Sequence, residues 1–570
     1  MHQPHAQPRP SIYYDYQVFK PWLASEHAAQ GRHPVAIVGA GPIGLVTALE
    51  LARHGVACVL LEAELQVSEG SRAIVFTRRS MEILQQVGVA DRMLKDGLPW
   101  RFGNSFYKGQ KVFRLEAPHD ENDRFFPMTN LQQQYLEQYL VEAAQKQPLI
   151  DLRWGNKINQ VLHNDDGVRV EVDTPEGPYT LEADWLVAAD GARSPIRSQY
   201  GLKMEGAAYE GRFVIADIRI ELDLPTERLA FFDPDWNPGN TVLMHREPHN
   251  IWRIDYQLPA NETPEQALQP ESLAERINAQ LAMIGKAGTP WEMDWASVYS
   301  ARAMTLPDYV HQRVIFTGDA AHMLPIFGVR GANTGFQDAQ NLGWKLACVH
   351  KGLAGDALVH SYSQERVGAS REICEEAGKS TRFMTPPTRG FRLLRDAVLS
   401  LSLTEAFVRP LYHWRTSRPH AYTHSSLNAT QDDNALFPSG PAHGAQLSNV
   451  RLGENNHLLD HLGASFALLV FTEQGLPTDL QQAVQSWRAR GVPLQVVAIN
   501  RQGQSCDGAD LALPDAIGLF AQRYGVTPNP SDLAAYLARP DQHVCARWLH
   551  LDSDRLNAAM QQALPQGRPH

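Results

Sequence analysis

The chain has 570 residues, of which 43% are hydrophobic and 20% charged, so wholesale disorder is excluded and room remains for about three to four domains. Its 41 Gly and 37 Pro follow no three-residue period, which excludes a collagen-like chain, and the net charge of −11 comes with no cluster of Lys and Arg, which argues against a nucleic-acid partner. The five cysteines, Cys58, Cys348, Cys374, Cys506 and Cys545, are far apart and form no C-x-x-C pair. That pattern argues against a zinc ribbon, a dithiol centre or a disulfide framework, so no metal site is expected and a reducing cytoplasm is.

In chain order, Met1 to His33 is polar, Pro-rich and His-rich with scattered aromatics, and it reads as an extended arm without a signal peptide. The most apolar stretch, Val35 to Leu61, is interrupted by Glu50, Arg53 and His54 and does not span a membrane. Within it, Val35 to Val38 reads as a strand, Ile43 to His54 as a helix and Val56 to Leu61 as a second strand ending in Glu62. Between strand and helix lies Gly39-Ala40-Gly41-Pro42-Ile43-Gly44, a G-x-G-x-x-G. Gly39 permits the tight turn, Gly41 lets a pyrophosphate approach the backbone, Gly44 lets helix and strand pack, and Glu62 stands where a carboxylate accepts ribose hydroxyls. The motif predicts a bound dinucleotide and leaves NAD and FAD both open.

Helical patterns follow around Arg79 to Val87 and Gln132 to Gln145, then strand patterns at Val168 to Val172, Tyr179 to Leu181 and Trp185 to Ala189, the last running into Asp190-Gly191. From Phe213 to Gln257 four strand signals read as an antiparallel sheet inserted in the α/β unit. Alternation puts Ile251, Arg253 and Asp255 on one face of its last strand and Trp252, Ile254 and Tyr256 on the other. Val314 to Thr317 is a buried strand ending in Gly318-Asp319, and helices are expected over Gly335 to Leu353 and residues 355–375. Residues 377–445 are rich in Pro, Ser, Thr and His and read as irregular, with a linker over 401–445. The remainder, with apolar runs Phe466 to Phe471 and Leu494 to Ile499, reads as a separate small α/β domain.

The glycine turn, the Asp190-Gly191 element and Gly318-Asp319, in this order and spacing, resemble the flavoprotein aromatic monooxygenases of the para-hydroxybenzoate hydroxylase type. The likeness runs over about residues 34–400 and is strongest to the longer members typified by 3-(3-hydroxyphenyl)propionate hydroxylase and phenol hydroxylase. The resemblance implies a Rossmann-like FAD-binding domain over 34–205 and 295–400, a substrate-binding sheet domain over 206–294 and a thioredoxin-like domain over 446–570. That last domain lacks redox cysteines, since Phe471 to Gly475 contains none. By the same resemblance Gly39, Gly41, Gly44 and Glu62 hold the ADP half of FAD, Asp319 and Gln133 the ribityl chain, Arg72 the phosphates and ribityl, and Asp190 the pyrophosphate and NAD(P)H.

Pro325 to Gly335 matches the turn beside the flavin ring, where the N–H groups of Gly331, Ala332 and Asn333 face the pyrimidine edge and Pro325 faces the substrate. Arg330 matches a position where other members carry Lys or Gln, and a cation there favours hydride acceptance. Asp217 and His322 also have family counterparts and read as architectural. Transient NAD(P)H docking agrees with the absence of a second G-x-G-x-x-G, and the chemistry implied is O2 activation as a C4a-hydroperoxide that attacks a small phenolic ring. A base is then expected near the substrate hydroxyl. The family aspartate shortly after the Arg72 position is missing from Ala73-Ile74-Val75-Phe76, so His245, Arg253 and Tyr256 on the inserted sheet are the candidates. A homodimer is expected. A flavin oxidase or dehydrogenase on the same fold, or a non-catalytic flavin-fold binding protein, are the alternatives that the motifs leave open.

Overall fold

The computed structural model of the chain describes residues 1–27, 31–164, 166–259, 261–325, 327–412, 419–527 and 533–566. The N-terminal arm lies along the unit that follows it. Phe19 stacks on Trp154 with ring centroids 4.3 Å apart, Arg9 donates to the Val67 carbonyl, and the Ile12 N–H donates to Asp294.

Strand β1 (His33–Val38) leads through the glycine turn into α1 (Pro42–Arg53) and back through β2 (Cys58–Glu62). Pro42 sits in the first helical turn, where its missing N–H leaves nothing unsatisfied. Helix α2 (Arg78–Gln86) precedes the hairpin β3 (Phe102–Tyr107) and β4 (Gln110–Glu116), whose Lys108-Gly109 turn has φ of 47° and 76°, as tight hairpins require. Next come α3 (Gln133–Gln145), β5 (Ile150–Trp154) and a meander of β6 (Lys157–Asn164), β7 (Gly167–Thr174) and β8 (Gly177–Ala188). The segments expected separately near residues 180 and 187 are one strand, because the whole length of β8 is covered, first by β7 and then by β1.

The chain then crosses into the second sheet through β9 (Glu205–Arg219), β10 (Arg228–Phe232), β11 (Thr241–Arg246) and β12 (Ile251–Gln257). It covers one face of that sheet with α4 (Pro270–Met283) and returns along β13 (Glu292–Thr305). Short strands β14 (Val310–His311), β15 (Val314–Phe316) and β16 (His322–Met323) lead to the long helices α5 (Gly331–His350) and α6 (Ala357–Met384), then α7 (Arg389–Leu401).

The first sheet has the order β14-β15-β8-β1-β2-β5, with β7 attached to β8 and β6 to β7, and its core strands β15, β8, β1, β2 and β5 run parallel. Because β1 is flanked on both sides by later strands, the chain direction switches there and a crevice opens at the strands' carboxyl ends. The second sheet has the order β16-β13-β9-β12-β11-β10-β3-β4 and is antiparallel except where β10 meets β3. It therefore extends past the expected limits of 206–294, taking the hairpin at 102–116 from the N-terminal side and β13 and β16 from the C-terminal side.

Its two faces differ. Val242, Met244, Trp252, Ile254 and Tyr256 pack with Ile277 and Leu281 of α4, while Phe213, Ala230, Phe232 and Leu243 pack with Phe327, Phe383 and Met384.

The expectation of irregular chain over 377–445 is corrected by α6 and α7. Thr381 and Thr385 donate their hydroxyls to the carbonyls four residues back, so a loop-like composition is accommodated in a helix. The helix stops at Thr385 because Pro386 disfavours the helical conformation just before it.

The C-terminal region comprises β17 (Phe466–Phe471), α8 (Thr478–Ala489), β18 (Leu494–Asn500), β19 (Leu511–Pro514), β20 (Ala534–Ala538), β21 (Val544–Trp548) and α9 (Ser553–Ala563). Its five-stranded sheet has the order β19-β18-β17-β20-β21, parallel on one side of β17 and antiparallel on the other. It is not a separate body. Trp344, Cys348 and Leu358 share one core with Phe466, Trp487 and Trp548. Beneath that core Glu365 of α6 takes Lys345 at 2.7 Å and Arg539 of the C-terminal unit, and Arg539 also takes Asp541 at 2.6 Å. Among the described residues no helix is long and apolar enough to cross a membrane.

Breaking a fully buried ion network strands the remaining charges. Arg539→Met is expected to destabilise the fold by about 3–5 kcal/mol, seen as a lowered thermal unfolding midpoint.

Candidate functional site

At the crevice the three glycines of the first turn play three different parts. Gly39 has φ of 101°, and a Cβ there would lie 2.5 Å from the Ala189 carbonyl oxygen, so the turn demands glycine both for its conformation and for its close approach to β8. A Cβ on Gly44 would lie 1.9 Å from the Gly39 carbonyl oxygen, so this glycine lets α1 start directly against the strand. Around Gly41 a Cβ would meet no atom within 4 Å, which is the open side where a diphosphate can approach the helix N-terminus. Glu62 closes the end of β2, accepting the Ala40 N–H at 2.7 Å and the Glu64 N–H at 2.9 Å, and burial pushes its pKa up.

Two more turns reach the same crevice. The Asp190 carboxylate accepts from Ser194 Oγ at 2.8 Å and from the Ile196 N–H, its other oxygen has no hydrogen-bond partner, and burial raises its pKa. Arg197 joins this turn to the next by donating to the carbonyls of Ala192 and Ala320. Asp319 is exposed yet stands at the floor of the groove, enclosed by protein on its other sides. That enclosure pushes its pKa up against the pull of His322, Arg72 and Arg197. An enclosed carboxylate that still faces open space, with two arginines near it, suits a polyol chain followed by phosphates.

One carboxylate fixes the geometry of the Asp319 turn. Asp338 of α5 accepts from the Gly318 N–H at 3.1 Å, lies 2.6 Å from His322 Nε2 and accepts from Arg366 Nε at 2.6 Å. Burial opposes its charge, but His322 and Arg366 outweigh burial and hold the pKa below the usual carboxylate value. Ile43 of α1 fits against Gly318 and Gly335, where a Cβ would come within 3.1 and 2.6 Å of its side chain.

The segment at Arg72 is held from behind. Gln133 accepts from the Ala73 N–H at 2.9 Å and donates to Glu137 at 2.7 Å, and its own N–H donates to Ser71 Oγ. Both ends of the Gln133 amide are thus engaged in shaping the loop beside Arg72, with one N–H and one lone pair still to offer. Arg253 belongs to the same scaffold. Paired with Asp217 through two 2.8 Å bonds, it donates to the carbonyls of Ser71 and Arg72, so it positions the loop and is not a pocket wall.

At the start of α5, Pro325 is buried, Ile326 lies outside the described residues, and Val329 has φ of 62°, a conformation costly for a β-branched residue. The first α-helical bond runs from the Thr334 N–H to the Arg330 carbonyl, so the N–H groups of Gly331, Ala332 and Asn333 precede the helical ladder, with open space around Gly331. The Asn333 side chain is used up internally, accepting from the Thr77 N–H and Ser80 Oγ and donating to Val75 and Val329. Arg330 is buried, donates to the Phe327 carbonyl and sits in the field of Glu376 and Glu372 of α6. Its guanidinium thus helps to fix the turn that precedes α5.

On the inner face of the second sheet, His245 stands opposite Arg253 in register. Burial, reinforced by Arg228 and Arg253, keeps its pKa well below the usual value, and Nδ1 has no hydrogen-bond partner. Tyr256 points the other way, into the core under α4, with its ring 5.8 Å from that of Trp236, so the structure removes it from the site. A narrow cavity lies between this face and the turn before α5, walled by Phe232, Phe327, Gly328, Phe383, Met384 and Tyr412. Arg228, its charged residue among the described ones, was not singled out in the sequence, although alternation along β10 puts it on the same face as Ala230 and Phe232.

Three turns converging at the carboxyl ends of a parallel sheet, with an enclosed carboxylate facing the groove, define a flavin-dinucleotide-binding protein. The FAD binding domain family matches residues 32–377, more than half of the chain, and the chain belongs to that family. It is 27% identical over 463 residues to the 3-(3-hydroxy-phenyl)propionate/3-hydroxycinnamic acid hydroxylase of Mycolicibacterium smegmatis (strain ATCC 700084 / mc(2)155), covering 81% of both chains. The protein of the same name from Klebsiella pneumoniae (strain 342) is 27% identical over 529 residues, 92% of both chains. Among solved structures, the flavin-dependent monooxygenase PieE in complex with FAD and substrate superposes with a TM-score of 0.78 at 24% identity, over 95% of this chain and 100% of that one. Aklavinone-11 hydroxylase with FAD and aklavinone gives a TM-score of 0.75 at 24% identity with the same coverage.

The glycines separate stability from binding. Gly44→Ala is expected to lose about 1–3 kcal/mol of stability through the clash with Gly39, read by thermal unfolding. Gly41→Ala should leave the unfolding midpoint near that of the parent but purify with little flavin, read from the visible spectrum.

Asp255 on the inner face supplies a pH test. Burial raises its pKa to about 7, so the folded state holds a proton that the unfolded chain releases near pH 4, and stability falls as pH rises between these values. Asp255→Asn should therefore gain in unfolding midpoint over the parent progressively from about pH 4 to pH 7, with a constant advantage above that.

Proposed function

We propose that the protein is an FAD-dependent monooxygenase that hydroxylates a phenolic or related small aromatic compound at the expense of NAD(P)H and O2. The observation that carries this reading is the adjacency of two sites. The aromatic-walled cavity abuts Phe327 and Gly328, and the same turn runs into the helix start at Gly331 that borders the dinucleotide groove.

In this reading Gly39, Gly41 and Gly44 admit the pyrophosphate to the α1 N-terminus, Glu62 takes the adenosine ribose, and Asp319 takes the ribityl hydroxyls with Arg72 beside it. Asp190 keeps its role at the pyrophosphate, its one unpartnered oxygen being the acceptor on offer. Bound FAD supplies the redox and oxygen chemistry. The chain supplies the setting for it. The N–H groups of Gly331, Ala332 and Asn333 and the dipole of α5 favour electron density at the edge they face. Phe232, Phe327 and Phe383 keep water away from the ring being oxidised. His245, whose protonated form burial and the Arg228 and Arg253 cations disfavour, offers its unpartnered Nδ1 to orient a substrate hydroxyl as a hydrogen-bond partner and does not store its proton.

NAD(P)H docks transiently in the cleft, which fits a chain with one dinucleotide turn. The C-terminal unit is a thioredoxin-like module serving a packing role, supported by strands β18-β17-β20-β21 pairing first parallel and then antiparallel, and by the lack of cysteine at Phe471–Gly475. A homodimer is supported by the exposed apolar side chains Leu393, Leu394 and Phe407 of α7 and the segment after it.

The test is incubation of the flavin-loaded protein with NADH or NADPH, a panel of substituted phenols and ¹⁸O2. One labelled oxygen atom in the product per reduced nicotinamide consumed is the expected result. Hydrogen peroxide as the sole fate of oxygen with every phenol would make it an oxidase instead.

A further inference from the structure

Residues 1–31 precede the part of the chain that matches the FAD binding domain family, yet they are bonded to the loop that leads from Glu62 to Arg72. Carbonyls along that loop are taken by the arm. The Phe19 N–H donates to the Leu65 carbonyl at 2.7 Å, Arg9 Nη1 to that of Val67 at 2.7 Å and the Tyr16 hydroxyl to that of Ser68 at 3.3 Å. Tyr16 Oη also accepts the Gly70 N–H at 3.2 Å, and the Gln66 side chain accepts the Arg9 N–H at 3.0 Å. Tyr14 and Tyr16 are buried, with their rings edge to face 4.8 Å apart, so this stretch of the arm packs as part of the core.

The same stretch is anchored to the second sheet. One oxygen of Asp294 on β13 accepts from Ser11 Oγ and from the Ile12 N–H, both at 2.7 Å, and Arg219 of β9 donates to the Ile12 carbonyl at 2.8 Å. Ile12 is therefore clamped from the sheet side through both of its backbone polar groups, while Arg9 and Tyr16 on either side of it hold the loop. The start of α3 joins in, with Gln134 Nε2 donating to the Tyr13 hydroxyl at 3.2 Å and the Tyr135 hydroxyl to the Tyr13 carbonyl at 3.1 Å. Beside Asp294, the Trp295 ring lies against Gly70, where φ is 71° and a Cβ would come within 2.3 Å of that ring. Gly70 is thus held between Trp295 and Tyr16, two residues before Arg72. The Arg72 side chain itself is exposed and its charge acts on Asp319, so its place is set by the backbone beneath it. A loop ordered in advance spares the flavin the entropy of ordering it.

We propose that residues 9–16 are a strap that keeps the Arg72 loop in its flavin-binding shape by tying it to β13, with Tyr16 at the loop and Asp294 at the sheet as the positioning residues. Both act through the loop backbone. The strap makes retention of the flavin depend on a segment outside the family's own domain. The proposal needs only the FAD that the family binds and is independent of the reaction the bound flavin carries out.

The experiment follows the release of FAD from the flavin-loaded, full-length protein after dilution, read from the rise in flavin fluorescence, beside the unfolding midpoint read by circular dichroism in excess FAD. Tyr16→Phe, which keeps the ring and loses the hydroxyl, and Asp294→Ala are each expected to release flavin about three- to ten-fold faster than the parent, with an unfolding midpoint within about 2 °C of it. Asp294→Asn keeps an acceptor oxygen for Ser11 and Ile12 and should release flavin at nearly the parental rate. The double variant of Tyr16→Phe and Asp294→Ala should be no more than about two-fold faster than the quicker single variant, because a strap cut at one end no longer holds at the other.

Parental release rates in both single variants overturn the proposal. A double variant whose acceleration is the product of the two single ones also overturns it, since the two contacts would then be independent, as does an Asp294→Asn variant that loses flavin as fast as Asp294→Ala. A fall of the unfolding midpoint in step with flavin loss assigns the arm to general stability and overturns it too. Should either variant fail to fold, Arg9→Met at the half-buried start of the strap is read in the same way, faster release supporting the strap and parental release overturning it. If no phenol incorporates labelled oxygen, the hydroxylase reading falls and the strap is untouched.

Discussion

The carboxylate of Asp338 ties together three parts of the chain, the end of β15, the residues just beyond it and α6. It receives the Gly318 N–H at the end of β15, His322 just beyond it and the Arg366 guanidinium of α6, while itself belonging to α5. A fully buried carboxylate is tolerated only when its charge is matched and its lone pairs are filled, so each partner is required by the others. The consequence is local. Asp319, one residue from Gly318, is thereby fixed at the carboxyl end of the sheet with its side chain exposed. Helix α5 is locked in the same stroke, because Ile43 wedges against Gly318 and Gly335 and leaves no room for any larger residue at either position.

The second sheet shows how one element can serve two sites through its two faces. Its outer face is a core shared with α4, into which Tyr256 disappears. Its inner face carries a row of ionisable groups, and among them Arg253 uses its pairing with Asp217 to grip the carbonyls of Ser71 and Arg72. The loop that bears Arg72 is therefore shaped from the sheet side by Arg253 and from the α3 side by Gln133. The second sheet and the Arg72 loop become one mechanical unit, and a disturbance of either reaches the other through a handful of hydrogen bonds.

The C-terminal unit is bound to this core by charge as well as by packing. Glu365 and Arg366 are neighbours on α6, the first facing Arg539 and Lys345, the second facing Asp338. Adjacent residues of one helix thus connect the C-terminal sheet to the carboxylate that orders the groove. A composition that looked like a linker instead supplies α6 and α7, because hydroxyl side chains can bond to their own helix backbone and leave the helix intact.

The groove was legible in the amino-acid order because it is built from backbone constraints that only particular residues satisfy. Gly39, Gly41 and Gly44 are needed for a positive φ, an open approach and a close contact, and those needs act over six consecutive residues. Glu62 and Asp319 are readable for the same reason, as carboxylates at the ends of apolar strands. What lies on the inner face of the second sheet was decided only by tertiary structure. Alternation could place Arg253 and Tyr256 on opposite faces, yet which face meets α4 depends on helices many residues away. Arg330 and Gln133 were readable as residues of the groove by type and position, but the protein partners each of them holds were set by packing, because a buried polar side chain takes the nearest fixed partner.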